Sequence, residues 1–154
     1  MHLRSVVERK SLLGAEVIER LPASSYTSYV NQRDYDVPLK KTRLALAAGH
    51  SVIVDAMYLA ADERNALQQL AFDLSVSFSG LLLTAPAEVM VQRVAGRTND
   101  ASDATPEIVR RQLARHGQED GGVWVTIDVG GSAEETQRAA REALGASSCP
   151  NRRH

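Results

Sequence analysis

The sequence predicts an α/β fold built on a parallel sheet, and three observations lead there. Ser51-Val52-Ile53-Val54-Asp55 is a short, β-branched, almost wholly apolar run, the pattern of a strand covered on both faces. Leu67, Leu70, Ala71 and Leu74 recur at helical spacing, which marks one apolar stripe on a helix. Runs of these two kinds alternate along the chain, and that alternation implies βα units joined by right-handed crossovers.

Taken in order, the first clear element is a helix from Pro38 to Ala48. Pro38 fits a first helical turn and Gly49 fits the residue just past a helix end. A strand over residues 51–55 follows, then a helix over 62–74. Residues 76–84 read as a strand, because Leu81-Leu82-Leu83 is too apolar to face water. Pro86 opens a helix carrying Val89, Met90, Arg93, Val94 and Arg97. The polar, small residues up to Thr105 read as the tip of a lid spanning about 93–105. Thr105-Pro106-Glu107 supplies the cap, first-turn proline and early carboxylate of a further helix. Residues 123–127 form the last strand, with Trp124 in the core. Ser132 and Glu135 make a capping box whose helix ends at Leu144-Gly145. Residues 1–145 are expected to be one domain and 146–154 a flexible tail.

Composition narrows the function classes. With 154 residues, 44% of them hydrophobic and 24% charged, the chain is globular, and disorder, collagen and a membrane bundle are excluded. The 18 basic and 19 acidic residues nearly cancel, so a chain-wide basic face for nucleic acid is not expected. Fifteen of the basic residues are Arg and three are Lys, so anion recognition here is guanidinium chemistry. The single Cys149 can form no internal disulfide, which suits a reducing cytoplasm. The first residues lack the apolar run of a secretory leader, and no stretch approaches the roughly 20 apolar residues of a spanning helix. G-x-S-x-G and G-x-G-x-x-G are both missing, against a serine hydrolase and a dinucleotide-binding fold.

The order of several short motifs carries a resemblance. His2-Leu3-Arg4-Ser5, Glu8-Arg9-Lys10, Ala47 to Ala56, Arg64, Leu82 to Pro86, Arg93-Val94-Ala95-Gly96-Arg97 and Asp100 to Ala104 together resemble the P-loop kinase-like proteins. The chain is most similar to the ATP-binding domain often fused to an aminoglycoside-phosphotransferase-like domain, with gluconate kinase, polynucleotide kinase and zeta toxin as wider relatives. The resemblance implies a three-layer parallel sheet of the P-loop NTPase kinase type. It implies ATP-dependent phosphoryl transfer to a small hydroxylated molecule, with ATP and Mg²⁺ as cofactors. Asp55 would lie near the acceptor or near Mg²⁺ through water, Arg93 and Arg97 would clamp the transferred phosphate, and Arg4, Ser5 and Arg64 would contact substrate.

Two departures from the family pattern bear on activity. The family's first strand and G-x-x-x-x-G-K-[ST] loop precede the first residues matched here, and no Gly-Lys dipeptide occurs in the chain. The family's R-S-D reads Arg4-Ser5-Val6, and valine cannot accept a proton. The expectation is a kinase-like domain lacking its first strand and phosphate loop, with weak or absent ATP and Mg²⁺ binding and impaired transfer. The competing reading is a non-catalytic remnant or anion-binding module. The expected partner is a small-molecule phosphate acceptor, with no nucleic acid and no membrane. Open strands would favour self-association or a fused or partner kinase-like domain.

Overall fold

A computed structural model of the chain describes residues 1–22, 28–98, 100–115 and 123–147, without the side chains of 28–34, 115, 146 and 147. The end of the sequence-predicted tail, from residue 148, lies outside the described residues. The described chain divides into two compact units. One comprises Met1–Ser77 with Arg97–Ala104, and the other comprises Phe78–Gly96 with the residues from Thr105 onward.

The first unit contains β1 (His2–Arg4), α1 (Ser5–Leu12), α2 (Ser28–Ala47), β2 (Ile53–Asp55) and α3 (Ala61–Asp73). β1 and β2 pair in parallel, with His2 opposite Ile53, Leu3 opposite Val54 and Arg4 opposite Asp55. Leu3, Pro38, Leu67, Leu70 and Ala71 are buried and form its core. Each helix end is closed in the same way. At α1, the N–H groups of Gly14 and Ala15 bond the carbonyls of Ser11 and Lys10; at α2, Gly49 and His50 bond Leu46 and Ala45. At α3, Ser75 and Val76 bond Phe72 and Ala71. This paired closure requires a left-handed residue. Gly14 and Gly49 supply it at no steric cost, and Ser75 adopts it with φ of 52°.

Two boundaries differ from the sequence reading here. α2 begins at Ser28, so Pro38 lies inside the helix and does not start it. Proline there removes one backbone donor, and its fully buried ring offsets that loss by apolar burial. The strand expected from residue 76 begins only at Gly80, because the closure of α3 occupies Ser75 and Val76.

The second unit contains β3 (Gly80–Thr84), α4 (Ala87–Ala95), α5 (Pro106–Arg115), β4 (Trp124–Asp128) and α6 (Ala133–Ser147). β3 and β4 pair in parallel from Gly80 opposite Trp124 to Thr84 opposite Asp128. Among the described residues the four strands therefore form two parallel pairs, an arrangement in keeping with a P-loop NTPase-like α/β fold. The capping signals act as the sequence predicts. Thr105 Oγ1 accepts from the Ile108 N–H at 3.4 Å. The Ser132 N–H donates to Glu135 Oε2 at 2.8 Å, and the Glu135 N–H donates to Ser132 Oγ at 3.2 Å. Hydrogen bonds to its carboxylate from the Ser132 backbone N–H and the Ser132 side chain hold the Glu135 carboxyl below its ordinary range. α6 passes through Gly145, which keeps a helical backbone and so does not stop it.

Gly80 is the tightest point of this unit. A Cβ there would overlap the indole of Trp124, which also meets the Phe78 ring edge-on at 5.6 Å. Gly80→Ala is expected to cost about 1–3 kcal/mol, the range for overpacking a filled site, measured by denaturant unfolding against the parent chain.

Candidate functional site

The carboxyl ends of β1 and β2 bring charged groups together in the first unit. Arg4 and Asp55 are register partners, and Arg4 Nε donates to Asp55 Oδ2 at 3.3 Å. Arg4 Nη2 also lies 3.9 Å from Asp100 Oδ1. Asp55 keeps 56% of its side chain exposed and Arg4 39%, so both are open to a ligand. Ser5 and Val6 follow at the start of α1. This is the edge at which open α/β sheets place ligands, and it gathers three of the sequence-predicted site residues, Asp55, Arg4 and Ser5.

The loop after β2 depends on Arg64. That side chain is 5% exposed, and its Nη1 donates to the carbonyls of Tyr58 at 2.8 Å and Leu59 at 3.0 Å. Tyr58 has φ of 40°, a conformation that is unfavourable for a bulky residue and needs outside support. Arg64 supplies that support, so its guanidinium is directed at the loop backbone and away from solvent. The Tyr58 ring packs against Tyr35 at 5.7 Å. Burial, reinforced by Tyr35, Glu63 and Asp55, pushes the Tyr58 phenol well above its ordinary range.

Arg93 and Arg97 do not share a helix face. α4 ends at Ala95 with Gly96 as its cap, so Arg97 lies outside it. The Arg93 guanidinium donates to the carbonyls of Val129, Gly130 and Gly131, fastening the β4–α6 loop. Arg97 is exposed and makes no hydrogen bond or ion pair among the described residues. The i,i+4 spacing was a sound signal for proximity only while the helix continued. In the helix that follows, Glu107 faces Arg110 at 4.0 Å.

Lys10, part of the Glu8-Arg9-Lys10 motif but given no role there, is a buried charge of the first unit. It is fully buried, its Nζ donates to the carbonyls of Val17 at 3.0 Å and Glu19 at 2.6 Å, and it lies 3.3 Å from Asp103 Oδ1. Residues 97–104, read as a lid tip, are therefore anchored on the first unit. Ala101 among them is 4% exposed, and Asn99 lies outside the described residues. In the second unit, a groove between α4 and α5 is lined by Ala87, Glu88, Val91, Gln92 and Arg110, none of them a sequence-predicted site residue.

The AAA domain family matches residues 1–118. The chain belongs to this family of P-loop kinase-like domains. It is also similar to uncharacterized proteins of Mycobacterium bovis and of two Mycobacterium tuberculosis strains, each 34% identical over 102 residues. That match covers 66% of this chain and 20% of each relative, so it spans about a fifth of their length.

Members of the family generally bind ATP and Mg²⁺, and the residues present can be tested against that pair. No three His, Cys, Asp or Glu side chains among the described residues are grouped to hold a metal ion. Asp55 already faces Arg4, and no Gly-Lys dipeptide is present to form a phosphate loop. These residues alone do not fit a Mg²⁺-triphosphate. No described helix is long and apolar enough to cross a membrane.

Two measurements check the assignments in this site. Arg93→Gln should lower stability by about 1 kcal/mol and raise amide exchange at residues 129–132, whereas Arg97→Gln should change stability by less than about 0.5 kcal/mol. For Tyr58, the folded phenol holds its proton more tightly than the unfolded one. Its contribution is therefore complete below about pH 10 and declines as the pH rises beyond that. A spectrophotometric titration should show one late-ionising tyrosine that disappears in Tyr58→Phe.

Proposed function

We propose that this chain carries the acceptor side of a P-loop kinase-like domain whose reaction is phosphoryl transfer from ATP to a small hydroxylated molecule. The observation that carries the reading is the Arg4–Asp55 pair at the carboxyl ends of two parallel strands. A carboxylate in that position accepts a hydrogen bond from a substrate hydroxyl, and a guanidinium beside it holds an anionic group on the same molecule. Ser5 offers a further hydroxyl at the start of α1. Arg97 is the lid-region guanidinium open to an anion, while Arg93 and Arg64 act on loop carbonyls.

Residues 1–154 by themselves should transfer phosphate poorly or not at all. Two side chains supply charge, but a triphosphate is held by a ring of oriented N–H donors, and Val6 stands where the family pattern has a proton acceptor. Exposed Ile53 on β2 and Leu83 on β3 suit association with further kinase-like chain. The alternative, an anion-binding module without catalysis, draws on the same Arg4 and Arg97.

Calorimetry separates these ideas from a complete kinase. ATP should bind this chain no more tightly than about millimolar, and micromolar affinity would remove the argument from the missing phosphate loop. Asp55→Asn in a version joined to a phosphate-loop segment should lower turnover by about a hundredfold or more; unchanged turnover would exclude Asp55 from the site.

A further inference from the structure

We propose that Asp100–Ala104 is a strap with a fixed pivot at Asp103 and a displaceable tip at Asp100, and that the tip competes with an anionic ligand for Arg4. This rests on the reading of the β1–β2 edge as the acceptor site and adds a regulation of it. The segment enters the first unit from the other unit and leaves again, so its own contacts hold it there.

Those contacts are unequal. At the pivot, Lys10 is fully buried and the Asp103 side chain is 8% exposed, with the charges 3.3 Å apart. The two carbonyl acceptors of Val17 and Glu19 complete the Lys10 ammonium. Removing one partner from such a pair leaves a buried charge uncompensated, so this end does not let go readily. At the tip, Asp100 meets Arg4 at 3.9 Å with about a third of each side chain exposed. Contacts of that kind are weak and screened by salt.

The tip is nevertheless aimed. Asp100 Oδ1 accepts from the Ser102 N–H at 2.8 Å, and Ser102 Oγ accepts from the Ala104 N–H at 3.3 Å. Buried Ala101 between them fixes the turn that presents the carboxylate. Arg4 thus faces two carboxylates, Asp55 from the neighbouring strand and Asp100 from the strap. A phosphate or carboxylate on a ligand would replace Asp100 while Asp55 remains. Because part of the population holds Arg4 occupied, apparent affinity is reduced by the unoccupied fraction.

The test is an NMR titration of the whole chain with inorganic phosphate at low salt, in the parent, Asp100→Asn, Asp103→Asn and Arg4→Gln. Asp100→Asn should bind about two- to fivefold more tightly, the most that a weak exposed pair can withhold. Arg4→Gln should bind about tenfold more weakly. Asp103→Asn should raise amide exchange both at 101–104 and at 15–19, since Lys10 holds the two segments together. If that variant fails to fold, exchange in the parent carries the same test: saturating phosphate should raise it at Ser102 and leave Ala15 unchanged. Equal affinity in the parent and Asp100→Asn, with loss in Arg4→Gln, would overturn the strap and leave the acceptor site standing. Parent-like binding in Arg4→Gln would remove both.

Discussion

A fully buried lysine is the constraint on which the first unit depends. An ammonium removed from water costs several kcal/mol unless every donor finds a partner. Lys10 is held by hydrogen bonds to the carbonyls of Val17 and Glu19 and by an ion pair with Asp103. Its partners come from two other stretches of chain, so satisfying one charge determines the course of three segments. α1 presents the lysine, the turn after it folds back to offer carbonyls, and Arg97–Ala104 is drawn onto the unit that holds Arg4 and Asp55. The candidate site is therefore shaped by a charge that touches none of its proposed ligands.

Arginine performs two distinct tasks in this molecule. Arg64 and Arg93 direct their guanidiniums to runs of loop carbonyls, where the fixed fork of donors matches acceptors that no helix or strand has satisfied. Arg4 and Arg97 keep contact with solvent and remain open to anions. Sequence position does not separate the tasks, because all four lie beside motifs of a phosphate-handling family. What separates them is whether a loop carbonyl lies within reach of the side chain. The strained Tyr58 conformation shows the dependence directly, since its carbonyl is one of those that Arg64 holds.

Membership of the P-loop kinase-like family and the missing phosphate-loop sequence bear on different parts of the chemistry. The strand ends at which we propose that an acceptor binds carry a carboxylate and a guanidinium side by side. No Gly-Lys dipeptide occurs among these residues, and the reading proposed for Arg4 and Asp55 does not depend on one, because strand register alone positions them.

Much of the local structure was legible in the sequence because its causes are local. Thr105-Pro106 and Ser132 with Glu135 began helices where capping chemistry required, and Gly49 ended one. The strand at Asp55 and the helix of Leu67 and Leu70 followed from periodicity. The errors arose where a local signal had two outcomes. Gly49 takes a left-handed conformation and stops α2, while Gly145 stays helical and α6 runs on; glycine permits both, and its surroundings choose. Pro38 can start a helix or lie buried within one. Arg93 and Arg97 have the spacing of one face only if the helix reaches the second. The sequence by itself determined the α/β alternation, the family and the residues at the strand ends. Only the tertiary structure decided which charges are paired. Ion pairs and buried hydrogen bonds join residues remote in the chain, such as Arg4 with Asp55 and Lys10 with Asp103, and no local preference encodes those distances.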